Sequence, residues 1–172
     1  MTKGLTRSLS RGNQQLQSVV KEIIPIRNVA MNVTDVSGQA GWGTVVVGDL
    51  PQGNMLYLGA VAYVEFSSSS AGIANNFSGN AALGTAPTAD NTLSGAEVDL
   101  LPSTAVAAAT NKVSPLTKLV STDALGGGIL DNTDGSLEFN LQLLIADAGI
   151  TANSVVNVNG SLHIAYILLG DN

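Results

Sequence analysis

The chain of 172 residues has no cysteine, a single histidine, and few charged or aromatic residues. Without cysteine, disulfides, thiolate metal sites and cysteine nucleophiles are excluded. Charged residues make up 12% of the chain, about half of the usual share in globular domains, and aromatic residues only 4%. Because obligate interfaces are poor in charge, we expect a body of this composition to bury some of its surface in an oligomer.

Long apolar segments are also missing. The start, MTKGLTRSLSRGNQQ, carries charge but no apolar stretch, so we do not expect a secretory signal. No run approaches 18 uninterrupted apolar residues, so no membrane span is expected. These features predict synthesis in a cytoplasm and no membrane partner.

The few charges are divided unequally along the chain. The first 27 positions hold five basic residues and one acid, which leaves +4, whereas the rest holds two basic residues and twelve acids, which leaves −10. A basic arm on an acidic body predicts a protein that attaches to something through its N-terminus. The five basic residues are Lys3, Arg7, Arg11, Lys21 and Arg27.

Apolar residues within the arm recur at helical spacing, and Pro25 follows them. The spacing i, i+3, i+4, i+7, i+8 predicts a short helix with one apolar stripe, which the proline would end. We therefore predict two parts: an arm over residues 1–25, with a short amphipathic helix or an extended form, and a body over 26–172. The stripe consists of Leu16, Val19, Val20, Ile23 and Ile24.

Three roles remain open for this arm. It could dock on an acidic protein surface, with the stripe in an apolar groove, and the coexistence of charge and stripe favours this role. It could bind nucleic acid, but it has no aromatic residue, and four net charges give only modest affinity. It could also be a solubilising tail without a partner.

The body is rich in Ala, Val, Leu, Gly, Ser, Thr and Asn, a mixture that favours short strands joined by tight turns. Two long segments near the end alternate apolar and polar residues, which is typical of an antiparallel sheet with one core face. Without a repeated strand–helix pattern, the chain is predicted to be an all-β antiparallel sandwich, and uneven connections favour a jelly roll. We predict six to eight strands, from the segments 26–34, 44–47, 55–66, 77–83, 97–101, 116–120, 137–143 and 156–159, the last continued by 162–166, and we leave 104–110 open between helix and strand.

Residues that could carry chemistry are few, and each has a simpler explanation. His163 alternates with apolar neighbours and is predicted to lie on a surface or interface. Glu97 and Asp99 would share one side of a strand, where a carboxylate pair is more often a solvated face than an acid/base pair. Asp131–Gly135 lacks the ligand order of a calcium loop and is predicted to be a turn. Gly126–Gly128 lacks the lysine of a phosphate loop and is interpreted as a flexible joint.

Two segments resemble parts of small structural proteins from the heads of tailed phages: Ala86–Leu100 (APTADNTLSGAEVDL) and Ser154–Asp171 (SVVNVNGSLHIAYILLGD). The resemblance covers roughly residues 28–172. It implies a decoration, or cement, protein with a β-sandwich body, often a jelly roll. Such proteins frequently form homotrimers and bind the major capsid protein on the exterior of the phage head. The residues themselves predict no cofactor, no metal and no catalytic residue, and an enzyme is not expected, because nothing in the sequence assembles a nucleophile, a base and an orienting group.

The capsid-binding residues are predicted from charge and spacing alone, because the arm matches no pattern of that family. They are Lys3, Arg7, Arg11, Leu16, Val19, Val20, Lys21, Ile23 and Arg27.

Two other functions stay open. The chain could be the lattice-forming capsid protein itself, with its basic arm on packaged nucleic acid, although nucleic acid is the less favoured partner. It could also be a carbohydrate-binding jelly roll, for which its aromatic side chains are few and two of the tyrosines lie in strand-like runs. The candidate stacking residues are Trp42, Tyr57, Tyr63 and Tyr166.

Overall fold

The computed structural model describes residues 19–121 and 128–170, and within these ranges the regular structure consists of strands and two 3-10 turns. No helix in these ranges has the length and hydropathy needed to cross a membrane. The strands are β1 (Val20–Thr34), β2 (Gly41–Asp49), β3 (Gly53–Ser67), β4 (Gly79–Gly84), β5 (Leu101–Val106), β6 (Thr117–Val120), β7 (Ile129–Asn132), β8 (Glu138–Ile145) and β9 (Ser154–Gly170).

The strands pair in a nested order. β1 pairs with β9, β2 with β8, β3 with β6 and β4 with β5, and every pairing is antiparallel. Further pairing of β9 with β3 and of β8 with β4 produces two four-stranded sheets. Sheet 1 has the order β1-β9-β3-β6, and sheet 2 has the order β2-β8-β4-β5. This nesting is the topology of a jelly roll, so the predicted all-β antiparallel fold is confirmed.

The two sheets meet at one corner. β1 and β2 are paired through only two residue pairs, Val33 with Gly43 and Thr34 with Trp42. At the opposite side, Cα atoms of β5 and β6 approach within 8 Å, so the sheets nearly close on each other. The additional strand β7 pairs with the start of β3, along the same edge that β6 occupies further on.

The core lies between the two sheets, because alternate residues of each strand point inward. In β9, Val156, Val158, Leu162 and Ile164 are buried, whereas the residues between them are more exposed. The three phenylalanines of the chain are each at most 1% exposed. The alternation that predicted the C-terminal strands therefore sets the inner faces of the jelly roll.

The predicted helix is wrong for residues 20–24, which form the first part of β1. Val20 pairs with Tyr166 and Ile24 with Leu162. Both Val20 and Ile24 pack against the core, since residues four apart share a face in a strand as well as in a helix. Residues 20–24 thereby supply hydrogen-bond partners for the backbone amide and carbonyl groups of β9, which a helix could not do.

The predicted boundary between an arm ending at 25 and a body starting at 26 falls inside β1. Pro25 is tolerated there because β2 pairs with β1 only near its end, which leaves this part of β1 an edge. Four of the predicted arm residues lie outside the described ranges: Lys3, Arg7, Arg11 and Leu16.

The predicted strand over 97–101 is also wrong. Gly95–Glu97 forms a 3-10 turn, and β5 begins only at Leu101. The cause is the carboxylate of Glu97, which accepts hydrogen bonds from the amides of Asp90 (3.1 Å) and Ser94 (3.0 Å) and closes a loop. The described strands number nine rather than six to eight, because β7 was not predicted.

Candidate interaction surface

The outer face of sheet 1 brings together side chains from four strands. Residues paired directly across neighbouring strands project on the same side, so the register defines rows across the sheet. The first row is Ile23, His163, Val61 and Val120, and the second is Pro25, Ser161, Tyr63 and Lys118.

The first row borders an open depression of about 500 Å³ with a mainly apolar lining. Ile23 is 64% exposed at its edge, and Leu58 is 38% exposed. Leu58 is the extra residue of a β-bulge, since Tyr57 pairs with Tyr166 while Gly59 pairs with the preceding residue of β9. The bulge places one more apolar side chain in the depression than regular pairing would.

The second row is polar and its side chains contact one another. The Lys118 ammonium lies 5.8 Å from the centre of the Tyr63 ring, which is a cation–π distance. The Tyr63 and His163 rings meet edge to face, with centroids 5.9 Å apart and an interplanar angle of 82°. His163 Nε2 also lies 3.1 Å from the hydroxyl oxygen of Ser161. His163 thus lies on the sheet surface, as its alternation predicts, and links the polar row to the depression.

The structure divides the predicted arm residues between two faces. Lys21 and Ile23 line the depression, whereas Val20 packs against the core. Arg27 is exposed next to Asn28, whose φ of 50° marks an irregularity in β1. Lys21 and Ile23 therefore lie together on a sheet face rather than on a helix. Their partners from β3 and β6 were not predictable from the sequence, because only the strand register reveals them.

The carboxylates of Glu97 and Asp99 stabilise the connection between β4 and β5 through hydrogen bonds. The Asp99 carboxylate accepts hydrogen bonds from the Thr85 amide (2.9 Å) and hydroxyl (2.6 Å). Burial raises the pKa of Asp99 above the usual value for aspartate. Glu97 caps a different part of the loop, so the two side chains have separate structural partners.

Asp131–Gly135 forms the turn that its sequence predicts. The Gly135 amide donates to the Asn132 carbonyl (3.0 Å), and Asp131 Oδ1 accepts hydrogen bonds from the Thr133 amide (3.1 Å) and hydroxyl (2.8 Å). Within the described ranges, no group of three or more histidine or carboxylate side chains could hold a metal ion. Of the predicted joint Gly126–Gly128, only Gly128 lies within those ranges.

The aromatic side chains have different environments. Tyr57 is 1% exposed and Tyr166 is 4% exposed, so both pack in the core and cannot stack on a sugar. The Tyr57 hydroxyl donates to the Leu100 carbonyl (2.9 Å), and burial, together with the nearby charge of Asp99, raises the pKa of Tyr57. Only Tyr63 and Trp42 of the four candidates face outward.

Neither a protein-family model nor a curated protein matches the chain. Among solved structures, it is similar to a chain from the structure of infectious bursal disease virus, Gx strain, with 12% identity and a TM-score of 0.41. The match covers 89% of this chain and 33% of that one, so this chain spans about a third of the viral chain's length.

Proposed function

We propose that the protein is a structural component of a virion that binds the outer surface of a capsid lattice and stabilises the head. The outer face of sheet 1 is the observation that carries this proposal. Ile23 is 64% exposed beside an apolar depression, and Lys21 and Lys118 flank it. Apolar patches with a polar rim mark interaction sites on soluble proteins, whereas nothing among the described residues assembles a nucleophile, a base and an orienting group.

The partner is the major capsid protein, with residues 1–18 and the outer face of sheet 1 both in contact with it. Residues 1–18 carry three basic residues and no acid, and they directly precede β1, which borders the depression. An acidic shell surface would attract these cations, and salt would screen the attraction. The resemblance of residues 86–100 and 154–171 to tailed-phage decoration proteins supports the exterior of the head as the location.

The affinity of a single site need not be large. At about 25 cal/mol per Å², burial of a few hundred Å² of apolar surface contributes several kcal/mol before association costs are subtracted. A homo-oligomer, which we propose to be a trimer, engages several lattice sites at once, and multivalency converts modest affinity into firm attachment.

Co-sedimentation with capsid shells assembled without the protein tests this function. Ile23→Asp places an isolated carboxylate at the edge of the depression and is expected to reduce binding at least tenfold. Val46→Asp is the matched control, because Val46 is 42% exposed on the outer face of sheet 2. Equal binding by the two variants, or no binding by the unmodified protein, would refute the proposal.

The lattice-forming capsid protein remains a second candidate, favoured by the run of three basic residues without an acid in residues 1–18. If its three basic residues each neutralise one phosphate, the logarithm of the binding constant for duplex DNA should fall with the logarithm of the salt concentration, with a slope of about −2.7. Comparison of the full chain with residues 19–172 isolates this contribution. Spontaneous assembly of the pure protein into closed shells would favour this candidate, whereas a small oligomer would favour the decoration role.

A further inference from the structure

A second cavity, of about 280 Å³, lies on the outside of the corner where β1 and β2 connect the two sheets. Residues 87–89 of the connection between β4 and β5 form its other wall. Among the residues that the structure describes, none that lines this cavity carries a charge. The lining consists of Asn32, Thr34, Trp42, Gly43, Thr44, Pro87, Thr88 and Ala89.

Trp42, the single tryptophan of the chain, contributes the apolar surface of this cavity. It is half-buried and lies directly across from Thr34, so an indole ring and a hydroxyl project on the same side. The C–H faces of a pyranose ring stack on such an aromatic surface, while threonine and asparagine side chains can bind its hydroxyl groups. The lining therefore has both chemical components that a neutral sugar requires.

Oxygen atoms without partners lie in the same region. Thr44 Oγ1 and Gln142 Oε1 are buried without a hydrogen bond, and Thr44 and Gln142 face each other across β2 and β8. Asn140 Oδ1, two residues along β8 on the same side, is buried and unpaired as well. A buried polar atom without a partner is costly. A ligand in the cavity does not reach these buried atoms, so the hydroxyl available to it beside Trp42 is that of the exposed Thr34.

The wall formed by residues 87–89 is held on both sides. The Gln142 side-chain amide donates to the Ala86 carbonyl (2.9 Å), and the Asn91 side-chain amide donates to Gln39 Oε1 (2.8 Å) in the β1–β2 turn. A cavity whose walls are fixed before binding loses less conformational entropy when a ligand enters.

We infer that this cavity binds one neutral sugar residue, with its ring against Trp42 and a hydroxyl group on Thr34. The absence of charge among the lining residues disfavours acidic sugars, and so does the net charge of −6. The site is separate from the outer face of sheet 1, so its occupancy does not depend on the proposed attachment to a capsid.

Because Trp42 is the only tryptophan, its fluorescence reports on this cavity alone. We would titrate the full protein with glucose, galactose, mannose and N-acetylglucosamine up to about 100 mM, a hundred times a Kd of 1 mM. A saturable change in the emission with at least one neutral sugar is expected. No change with any of them, or a change only with sialic acid or nucleosides, would overturn the inference.

Thr34→Val separates binding from a purely structural role. The variant should bind the same sugar about tenfold more weakly, because it lacks the hydroxyl. Its midpoint of denaturant unfolding should stay close to that of the unmodified protein, because Thr34 is exposed. Trp42→Ala should abolish binding in calorimetry, and Tyr63→Ala, on the outer face of sheet 1, should not change it. Unchanged binding by Thr34→Val and Trp42→Ala would also overturn the inference.

Discussion

Thr85 donates two hydrogen bonds to the carboxylate of Asp99, one from its amide (2.9 Å) and one from its hydroxyl (2.6 Å). This pair closes the base of the long connection between β4 and β5. The connection covers the outer face of sheet 2, where Asn140 and Gln142 are at most 1% exposed. The Asp99 carboxylate thus helps Glu97 and Gln142 to fix the segment that forms one wall of the Trp42 cavity.

Asp99→Asn should change how stability depends on pH. Burial raises the pKa of Asp99 in the folded protein, so the folded state holds this proton more tightly than the unfolded state does. The protonated Asp99 carboxyl therefore favours folding below the ordinary pKa of about 3.9, and this contribution is lost as the pH rises through the raised value. The free energy of unfolding of the variant, relative to the unmodified protein, should increase over that interval. A difference in unfolding free energy between the two proteins that does not vary with pH would contradict the raised pKa of Asp99.

Asn132→Ala should destabilise the protein by about 3 kcal/mol, because one buried and two partly buried backbone groups lose a partner. The Asn132 side chain is completely buried. Its amide nitrogen donates to the carbonyls of Leu50 and Pro51 (3.0 Å each), and its oxygen accepts from the Leu137 amide (2.8 Å). Urea unfolding measures the effect. Thr133→Ala, in the exposed part of the same turn, is the control and should cost below about 1 kcal/mol.

Two glycines in sheet 1 allow a paired test of backbone strain. Gly160 has φ of 151°, and a Cβ atom there would overlap the carbonyl oxygen of Tyr63. Gly59 has φ of 138°, but a Cβ atom would meet no atom within 4 Å. Gly59→Ala should therefore cost about 1–3 kcal/mol from strain alone, and Gly160→Ala should cost more, because β3 and β9 must also separate. Similar midpoints of thermal unfolding for the two variants would argue against the close approach of the β3 and β9 backbones at Gly160.

Deletion of residues 1–18 and deletion of residues 1–24 should have different consequences. The shorter deletion leaves β1 whole, and we expect a cooperative unfolding transition with nearly unchanged stability. The longer one removes Val20–Ile24 and leaves the segment Leu162–Tyr166 of β9 without its partner on that side. An unpaired strand edge favours aggregation. Light scattering and thermal unfolding distinguish these outcomes, and an equally soluble and stable 25–172 fragment would contradict the importance of this pairing.

The fold class was predictable because the longest strands alternate clearly. In β9, Leu162 and Ile164 are buried while His163 lies on the outer face, as period-two spacing requires. The nested order of strands was predicted only as the simplest solution for uneven connections. The alternation fixes which side of each strand faces the core but does not specify which strands become neighbours.

The start of β1 was not predictable from local spacing. Val20 and Ile24 fit one face of a helix and also one face of a strand, since both spacings bring residues four apart together. Pairing with β9, more than a hundred residues away in sequence, decided between them. The interaction surface depended on the same long-range register, because Ile23, Val61 and Val120 belong to strands that are distant in sequence.

The nested strand order also has a consequence for the sequence in which the strands can pair during folding. Of the four nested pairs, β4 and β5 enclose the smallest loop, whereas β1 must wait for β9. Closure entropy increases from the inner pair to the outer pair, so the nested pairs are expected to assemble from the middle outward. During synthesis, β1 therefore remains without its neighbour β9 until residues 154–170 have left the ribosome.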